Sequence, residues 1–252
     1  MTRVPLPVLR LAEAGLTAAA GAALGGVVGR LGGPPFAVVA GVSAGLNGAI
    51  GGHRQVYDWR TGRGWFAFLT DSTWGLVGTS LGNLANLANL PARRAGYRAD
   101  LSRRRNRHVF ERGVRLRRQF AVTYGNVVSN ASIGRGSLGP EWLSLIDRHE
   151  ELHIWQSRLF GPVFQLVYAL WSAAGVVVGT ATWIVKRERP GLWRLIETAA
   201  YYHNPFEYWA YKRDGRWEAN RAEPTLKWRR LAWLAERARG TAGSVAAAGE
   251  AR

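Results

Sequence analysis

Four long stretches of this sequence contain almost no charged side chains: residues 11–29, 31–52, 64–91 and 159–185. Two of them, 31–52 and 159–185, have no charged residue and exceed the roughly 20 apolar residues that a membrane-spanning helix needs. The first stretch contains Glu13 and no convincing small-residue cleavage site, which argues against a removable signal peptide. The sequence therefore predicts an integral membrane protein. A soluble, helix-rich basic protein is the alternative, because many of these residues are Gly, Ala, Ser or Asn.

Glycine recurs at every fourth position in the first two stretches. The series are Gly21, Gly25 and Gly29, then Gly41 with Gly45, and Gly48 with Gly52. At this spacing the glycines lie on one helix face, which lets two helix backbones approach closely in lipid. The Gly-Gly-Pro-Pro segment at 32–35 is then a hairpin turn. We interpret 15–52 as a glycine-zipper hairpin, which also makes it a candidate for homo-oligomer formation. A flexible linker would contain less Val, Leu and Ile.

The stretch 64–91 has a polar side. It contains the polar residues Asp71, Ser72, Asn83, Asn86 and Asn89. We expect this side to face protein or water. Asp71 lies close to the predicted membrane interface, where water could solvate it, and the sequence assigns it no role.

Positive charge dominates the chain, with 34 Lys and Arg against 17 Asp and Glu. The segment 93–118 contains eleven arginines, opposed only by Asp100 and Glu111. Such a cluster beside a membrane segment is typical of the cytoplasmic side and binds anionic lipid head groups. Tyr97 and Phe110 are too few aromatic residues for base stacking, so the sequence disfavours a nucleic-acid partner. The chain has no cysteine, so a metal ion must use nitrogen and oxygen ligands.

One strand signal precedes the most informative helix. Residues 119–130, QFAVTYGNVVSN, predict a strand or a hairpin. A helix is predicted to start at Pro140, since proline favours the first helical turn. On this helix His149 and His153 lie one turn apart on the same side.

His149, Glu150 and His153 form the pattern His-Glu-x-x-His. In this pattern two imidazoles hold one metal ion, while the glutamate polarises a water in the open coordination position. The alternative is a helix whose histidines form only hydrogen bonds, and a third ligand would decide between the two. Downstream, Asn204-Pro205 predicts the end of one helix and the start of another, whose first turn holds Glu207.

Three segments together, HEELHIWQ at 149–156, NPFEYWA at 204–210 and AVTYGNVV at 121–128, resemble zincin metallopeptidases of the gluzincin kind. The chain looks most like a group of small bacterial proteins of unassigned function with the same two motifs. This resemblance covers about residues 119–212. It implies Zn²⁺ bound by His149, His153 and Glu207, with Glu150 as the general base and a peptide or protein substrate paired with the strand. Tyr201, Tyr202 and His203 are possible donors to the reacting carbonyl, with no choice among them.

The stretch 159–185 presents a topological problem. If it simply crossed the membrane, His153 and Glu207 would lie on opposite sides. Glycines at 161, 175 and 179 permit a break or a hairpin. The basic segments on both sides of it, 93–118 and 186–230, favour one shared cytoplasmic side. We therefore expect this stretch to return the chain to the side from which it started.

The sequence thus predicts a mainly α, membrane-associated protein with a glycine-zipper hairpin and a small zincin-like α+β portion. Its predicted parts are glycine-rich membrane helices at 1–92, a basic segment at 93–118, a zincin-like region at 119–239 with 159–185 inserted, and a disordered tail at 240–252. The expected function is a zinc-dependent peptidase or amide hydrolase in the bacterial inner membrane, with the zincin-like region on the cytoplasmic side. The alternative is a non-catalytic membrane scaffold that binds anionic lipid or a protein partner through 93–118.

Overall fold

The computed structural model describes residues 5–90, 95–115, 120–132, 139–185, 191–216, 221–224 and 226. Within them the chain is mainly helical with one small sheet, which confirms the predicted fold class. Two compact units are present. The first comprises the described residues of 1–169 and 209–217, and the second those of 170–208 and 218–252. Both ends of the predicted basic segment and the predicted tail lie outside the described residues.

Among the described residues, three helices are long and apolar enough to cross a membrane. They cover Leu6–Gly32, Pro34–His53 and Pro162–Val185. Their length and composition support the predicted membrane association.

The first two of these helices form an antiparallel hairpin in the first unit. α1 spans Leu6–Gly29, a 3₁₀ turn follows, and α2 spans Pro34–His53. Gly33, with a φ of 93°, provides the left-handed backbone that the predicted turn requires. A Cβ on Gly21 or Gly25 would lie 2.5 Å from the carbonyl oxygen of Ala44 or Ala40, respectively. These glycines therefore allow α1 and α2 of one chain to approach closely.

The stretch 64–91 is two helices and not one. α3 spans Gly62–Ser72 and α4 spans Leu76–Asn89, with a break at residues 73–75. The five polar residues predicted to share a side are all buried: Asp71, Ser72, Asn83, Asn86 and Asn89. Their side faces the protein, as expected.

A short helix and a three-stranded sheet follow in the first unit. α5 spans Ala99–Ser102, β1 His108–Val109, β2 Val122–Tyr124 and β3 Val127–Ser129. The strand order is β1-β3-β2, with β1 parallel and β2 antiparallel to β3. The β2–β3 pair is the predicted hairpin. Among the described strands, β2 lies at one edge of the sheet.

The helix that carries His-Glu-x-x-His packs on this sheet. It begins at Pro140, as predicted, with α6 (Pro140–Ser144), continues through a π-helical segment (Leu145–Glu150) and ends with α7 (Glu151–Phe160). We call these three segments together the motif helix. Ile146 and Ile154 on it form a buried apolar cluster with Val109 of β1 and Val128 of β3. The motif helix is therefore fixed by the core of the first unit.

In the second unit the later part of α8 packs against the helical segments that follow it. α8 spans Pro162–Val185 without a break, so the break that the sequence allows lies at Gly161, between α7 and α8, and not at Gly175 or Gly179. Both glycines instead accommodate the returning chain, formed by α9 (Leu192–Glu197) and a π-helical segment (Thr198–Tyr202). A Cβ on Gly179 would lie 2.6 Å from the Cα of Ile196, and one on Gly175 would overlap Ala200. The pairing of 179 with 196 and of 175 with 200 makes the two segments antiparallel. α10 (Pro205–Asp214) follows.

Candidate metal centre

The motif helix is held in place by one buried arginine. Arg107 is only 2% exposed and forms ion pairs with Asp147 and Glu151 of that helix. It also donates to the carbonyl oxygen of Ile146, at 3.3 Å, and to that of Leu101, at 3.3 Å. A fully buried cation is tolerated because its donors are satisfied by carboxylates and carbonyls. Arg107 thereby fixes the π-helical segment that contains His149 and Glu150.

Both histidines of the motif are oriented by an oxygen acceptor. His149 Nδ1 lies 3.1 Å from Oδ2 of Asp214, and the two side chains are 3% and 1% exposed. His153 Nδ1 lies 2.8 Å from Oε1 of Gln156. With the proton of each ring on Nδ1, facing these oxygens, Nε2 would be the nitrogen that binds a metal ion. A carboxylate such as that of Asp214 is a usual partner of a metal-binding histidine.

Helix α10 brings the third predicted ligand to the histidines. Asn204 accepts a hydrogen bond from the backbone N–H of Phe206, at 3.0 Å, and so caps α10 as the sequence predicts. At the other end of this unbroken helix, Tyr211 packs on the His149 ring, with 4.7 Å between centroids, and Asp214 contacts His149 Nδ1. Glu207 lies two helical turns before Asp214.

The structure groups His149, His153 and Glu207. One ligand atom of each lies within 4.8 Å of the other two, and all three residues are buried. In tetrahedral coordination two donors at about 2.0–2.1 Å from Zn²⁺ are roughly 3.3–3.4 Å apart, so binding requires the ligand atoms to close by up to about 1.5 Å. Two imidazoles and one carboxylate therefore form a group that could hold a metal ion.

Glu150 lies beside this group but contacts a different element. It is 5% exposed, and its Oε2 accepts a hydrogen bond of 2.7 Å from Thr123 Oγ1 on β2. The carboxylate is therefore directed toward the edge strand of the sheet. This hydrogen bond links the predicted general base to the strand for which the sequence predicts a substrate-binding role.

Sequence reasoning missed two residues of the centre. Asp214 lies seven residues after Glu207 on the same helix, so a search for acids at helical spacing would have found it. Thr123 lies within the predicted strand, but its contact with Glu150 depends on how the sheet and the motif helix pack. No sequence spacing could have shown that contact.

Asp71 is buried by protein, which is one of the two surroundings that the sequence allows for it. It is 2% exposed and forms a two-pronged ion pair with Arg158, with 2.8 Å between each oxygen and its nitrogen. Tyr57 donates to the same carboxylate at 2.9 Å, and Asn126 at 3.2 Å. The carboxylate therefore joins α3 to the end of α7, five residues after His153.

His203 lies between the second π-helical segment and α10. Burial lowers the pKa of its imidazole to about 4, so it is neutral at physiological pH. The prediction that this residue, Tyr201 or Tyr202 donates to the reacting carbonyl stays a prediction.

Comparison of the chain with protein-family models found no match. Comparisons with curated proteins and with solved structures also found none.

Proposed function

We propose that this protein is a membrane-bound, zinc-dependent hydrolase of the gluzincin kind that cleaves a peptide or another amide bond. One observation carries the proposal: His149, His153 and Glu207 are buried together with their ligand atoms within 4.8 Å. A divalent cation held by this group would compensate the charge of the buried Glu207 carboxylate. Two nitrogens and one oxygen form a ligand set that catalytic zinc commonly has.

The centre favours catalysis over a purely structural metal. Three protein ligands leave one tetrahedral position open, whereas a structural zinc site is closed by four. Bound zinc would supply a Lewis acid that polarises the scissile carbonyl and makes a water molecule more acidic. Glu150 then accepts a proton from the attacking water and delivers it to the leaving nitrogen. The hydrogen bond from Thr123 keeps the Glu150 carboxylate in the orientation for these transfers.

Strand β2 provides a site for an extended substrate. Among the described strands it pairs only with β3, so its other edge can accept a further strand. A peptide added there would lie next to Thr123 and therefore next to the carboxylate of Glu150. We propose an extended peptide segment as the substrate, and we place the centre on the cytoplasmic side, where the arginine-rich segment favours it.

The scaffold alternative makes a different prediction about the basic segment. Several of its arginines form ion pairs within the chain: Arg98 with Asp100 and Glu111, and Arg104 with Glu13. Binding of anionic lipid to 93–118 stays a prediction. A scaffold requires neither a bound metal nor the carboxylate of Glu150, which separates the two functions experimentally.

The metal content of the purified protein tests the proposal first. We expect about one zinc per chain in the wild type, and its loss in His153→Ala and in Glu207→Ala. His53→Ala is the matched control, because His53 is exposed at the end of α2. Zinc that is absent from the wild type, or that survives Glu207→Ala, contradicts the assigned ligand set.

Hydrolysis is then tested with a peptide library in detergent. Glu150→Gln should retain zinc and lose cleavage by about 10²–10⁴-fold, the usual contribution of a general base. Glu111→Gln is its control, since Glu111 pairs with Arg98 at 2.8 Å and lies outside the motif helix. Equal activity of the Glu150→Gln variant and the wild type, or no cleavage by either, favours the scaffold.

A further inference from the structure

From Gly64 onward, after the exposed Arg63 at its first turn, α3 and then α4 have their polar residues inside and their apolar residues outside. Within residues 64–90 every exposed residue is apolar: Trp65, Phe66, Leu69, Trp74, Val77, Leu81, Leu84, Leu87, Ala88 and Leu90. Leu84 is 63% exposed, whereas its neighbour Asn83 is 4% exposed. A helix on the surface of a soluble protein has the reverse distribution. This distribution is therefore typical of a face that contacts an apolar environment and not water.

Hydrogen bonding of the backbone at the break suits a surrounding without water. The N–H of Gly75 donates to Thr70, at 2.7 Å, and the N–H groups of Thr73 and Leu76 also have carbonyl acceptors, at 3.2 Å. Non-helical backbone is tolerated at membrane depth only where such groups are satisfied within the protein. The break between α3 and α4 meets this condition at these three groups.

The polar side-chain groups of Thr73, Ser80 and Trp74, on or near this face, donate hydrogen bonds to nearby backbone carbonyls. Thr73 Oγ1 donates to the carbonyl of Leu69, at 2.6 Å, and Ser80 Oγ to that of Leu76, at 2.8 Å. The Trp74 indole N–H donates to the carbonyl oxygen of Leu159, at 3.1 Å. The face therefore offers little polar chemistry that a protein partner could recognise.

Polar contacts place α4 beside a helix that is itself long enough to cross a membrane. Ser80 Oγ lies 2.7 Å from Ser43 Oγ on α2, and Asn83 Nδ2 donates to the Ser43 carbonyl at 2.8 Å. On α2, Val38, Val39 and Val42 are 65–67% exposed. The apolar surface of α3 and α4 thus adjoins a helix that presents the same chemistry outward.

We infer that α3 and α4 form a fourth, broken membrane segment whose outer face contacts the acyl chains of the bilayer. Each helix is too short to cross a bilayer of about 30 Å, since 11 and 14 residues at about 1.5 Å each give roughly 16 and 21 Å. Acyl chains suit this face because its exposed residues from 64 to 90 are all apolar and the hydroxyl and indole groups described above form hydrogen bonds within the protein. This inference does not depend on the proposed enzymatic function.

Single cysteines test it directly, because the native chain contains none. Leu69→Cys and Leu84→Cys are labelled with a solvent-sensitive fluorophore and reconstituted in phosphatidylcholine vesicles with spin-labelled acyl chains. Val39→Cys, on α2, is the membrane reference, and Ala99→Cys, on the exposed part of α5, is the aqueous reference. We expect quenching at positions 69 and 84 to match that at 39, with little quenching at 99.

Three results would overturn the inference. Quenching at 69 and 84 no stronger than at 99 places this face in water, and an unquenched label at 39 shows that the chain is not inserted. If the labels at 69 and 84 are shielded from the spin label and position 84 cross-links between two chains, a second copy of the chain covers the face.

Discussion

Replacing Asp214 by Asn should weaken metal binding without disturbing the fold. Oδ1 of Asp214 accepts from the backbone N–H of Arg216, at 3.0 Å, while Oδ2 lies 3.1 Å from His149 Nδ1. Asparagine keeps one oxygen for Arg216 and presents an NH₂ group to the imidazole. His149 Nδ1 must then accept a hydrogen bond, so the ring proton moves to Nε2 and blocks the lone pair that the metal needs.

The size of the effect follows from the burial of the pair. A buried hydrogen bond to a charged group contributes about 1.5–3 kcal/mol. At about 1.4 kcal/mol per tenfold change, this corresponds to about 10–100-fold weaker zinc binding, the range typical of such partners of metal-binding histidines.

Competition with a chromophoric zinc chelator in detergent measures this change. Asp100→Asn is the control, because Asp100 is exposed and pairs with Arg98 far along the sequence from both histidines. A zinc affinity of Asp214→Asn within about twofold of the wild type, in a folded variant, would refute the assignment of Asp214 as the partner that orients His149.

Three further outcomes are expected in detergent. Arg158→Met leaves the Asp71 carboxylate buried without its cation and should cost about 3–5 kcal/mol, measured by denaturant unfolding; a loss below about 1 kcal/mol contradicts this. Gly25→Leu should separate α1 from α2 and lower the unfolding temperature, whereas Gly15→Ala, with open space at its Cβ, should not. Burial lowers the pKa of His203 from 6.5 to about 4, so the unfolded chain binds the proton more readily and stability falls as pH falls through this window. His203→Asn should flatten that decline, and an unchanged slope would be inconsistent with it.

Local signals allowed much of the fold to be predicted. The glycine series and Gly-Gly-Pro-Pro marked the α1–α2 hairpin, since close helix approach needs small residues at helical spacing. Pro140 and Asn204 marked the starts of two helices because both act on the first turn. His149, His153 and Glu207 followed from spacing within helices and from the resemblance that paired them.

Other features depend on contacts that spacing does not encode. The break between α3 and α4 follows from turn hydrogen bonds at residues 73–76, which no proline marks. Gly175 and Gly179 predicted a weakness in α8, but glycine in a helix equally marks a place where another backbone packs. The burial of Asp71 could not be predicted either, because its partner Arg158 lies 87 residues away in sequence.

The contact between α4 and the β2–β3 turn links the lipid environment to the candidate centre. A Cβ on Gly125 in that turn would overlap the carbonyl of Gly78 at the start of α4, so the two backbones touch without intervening side chains. Thr123 lies two residues before Gly125 and holds Glu150. If α4 faces acyl chains, its depth in the bilayer also affects the position of Glu150, the proposed general base. The proposed hydrolysis should then vary with acyl-chain length.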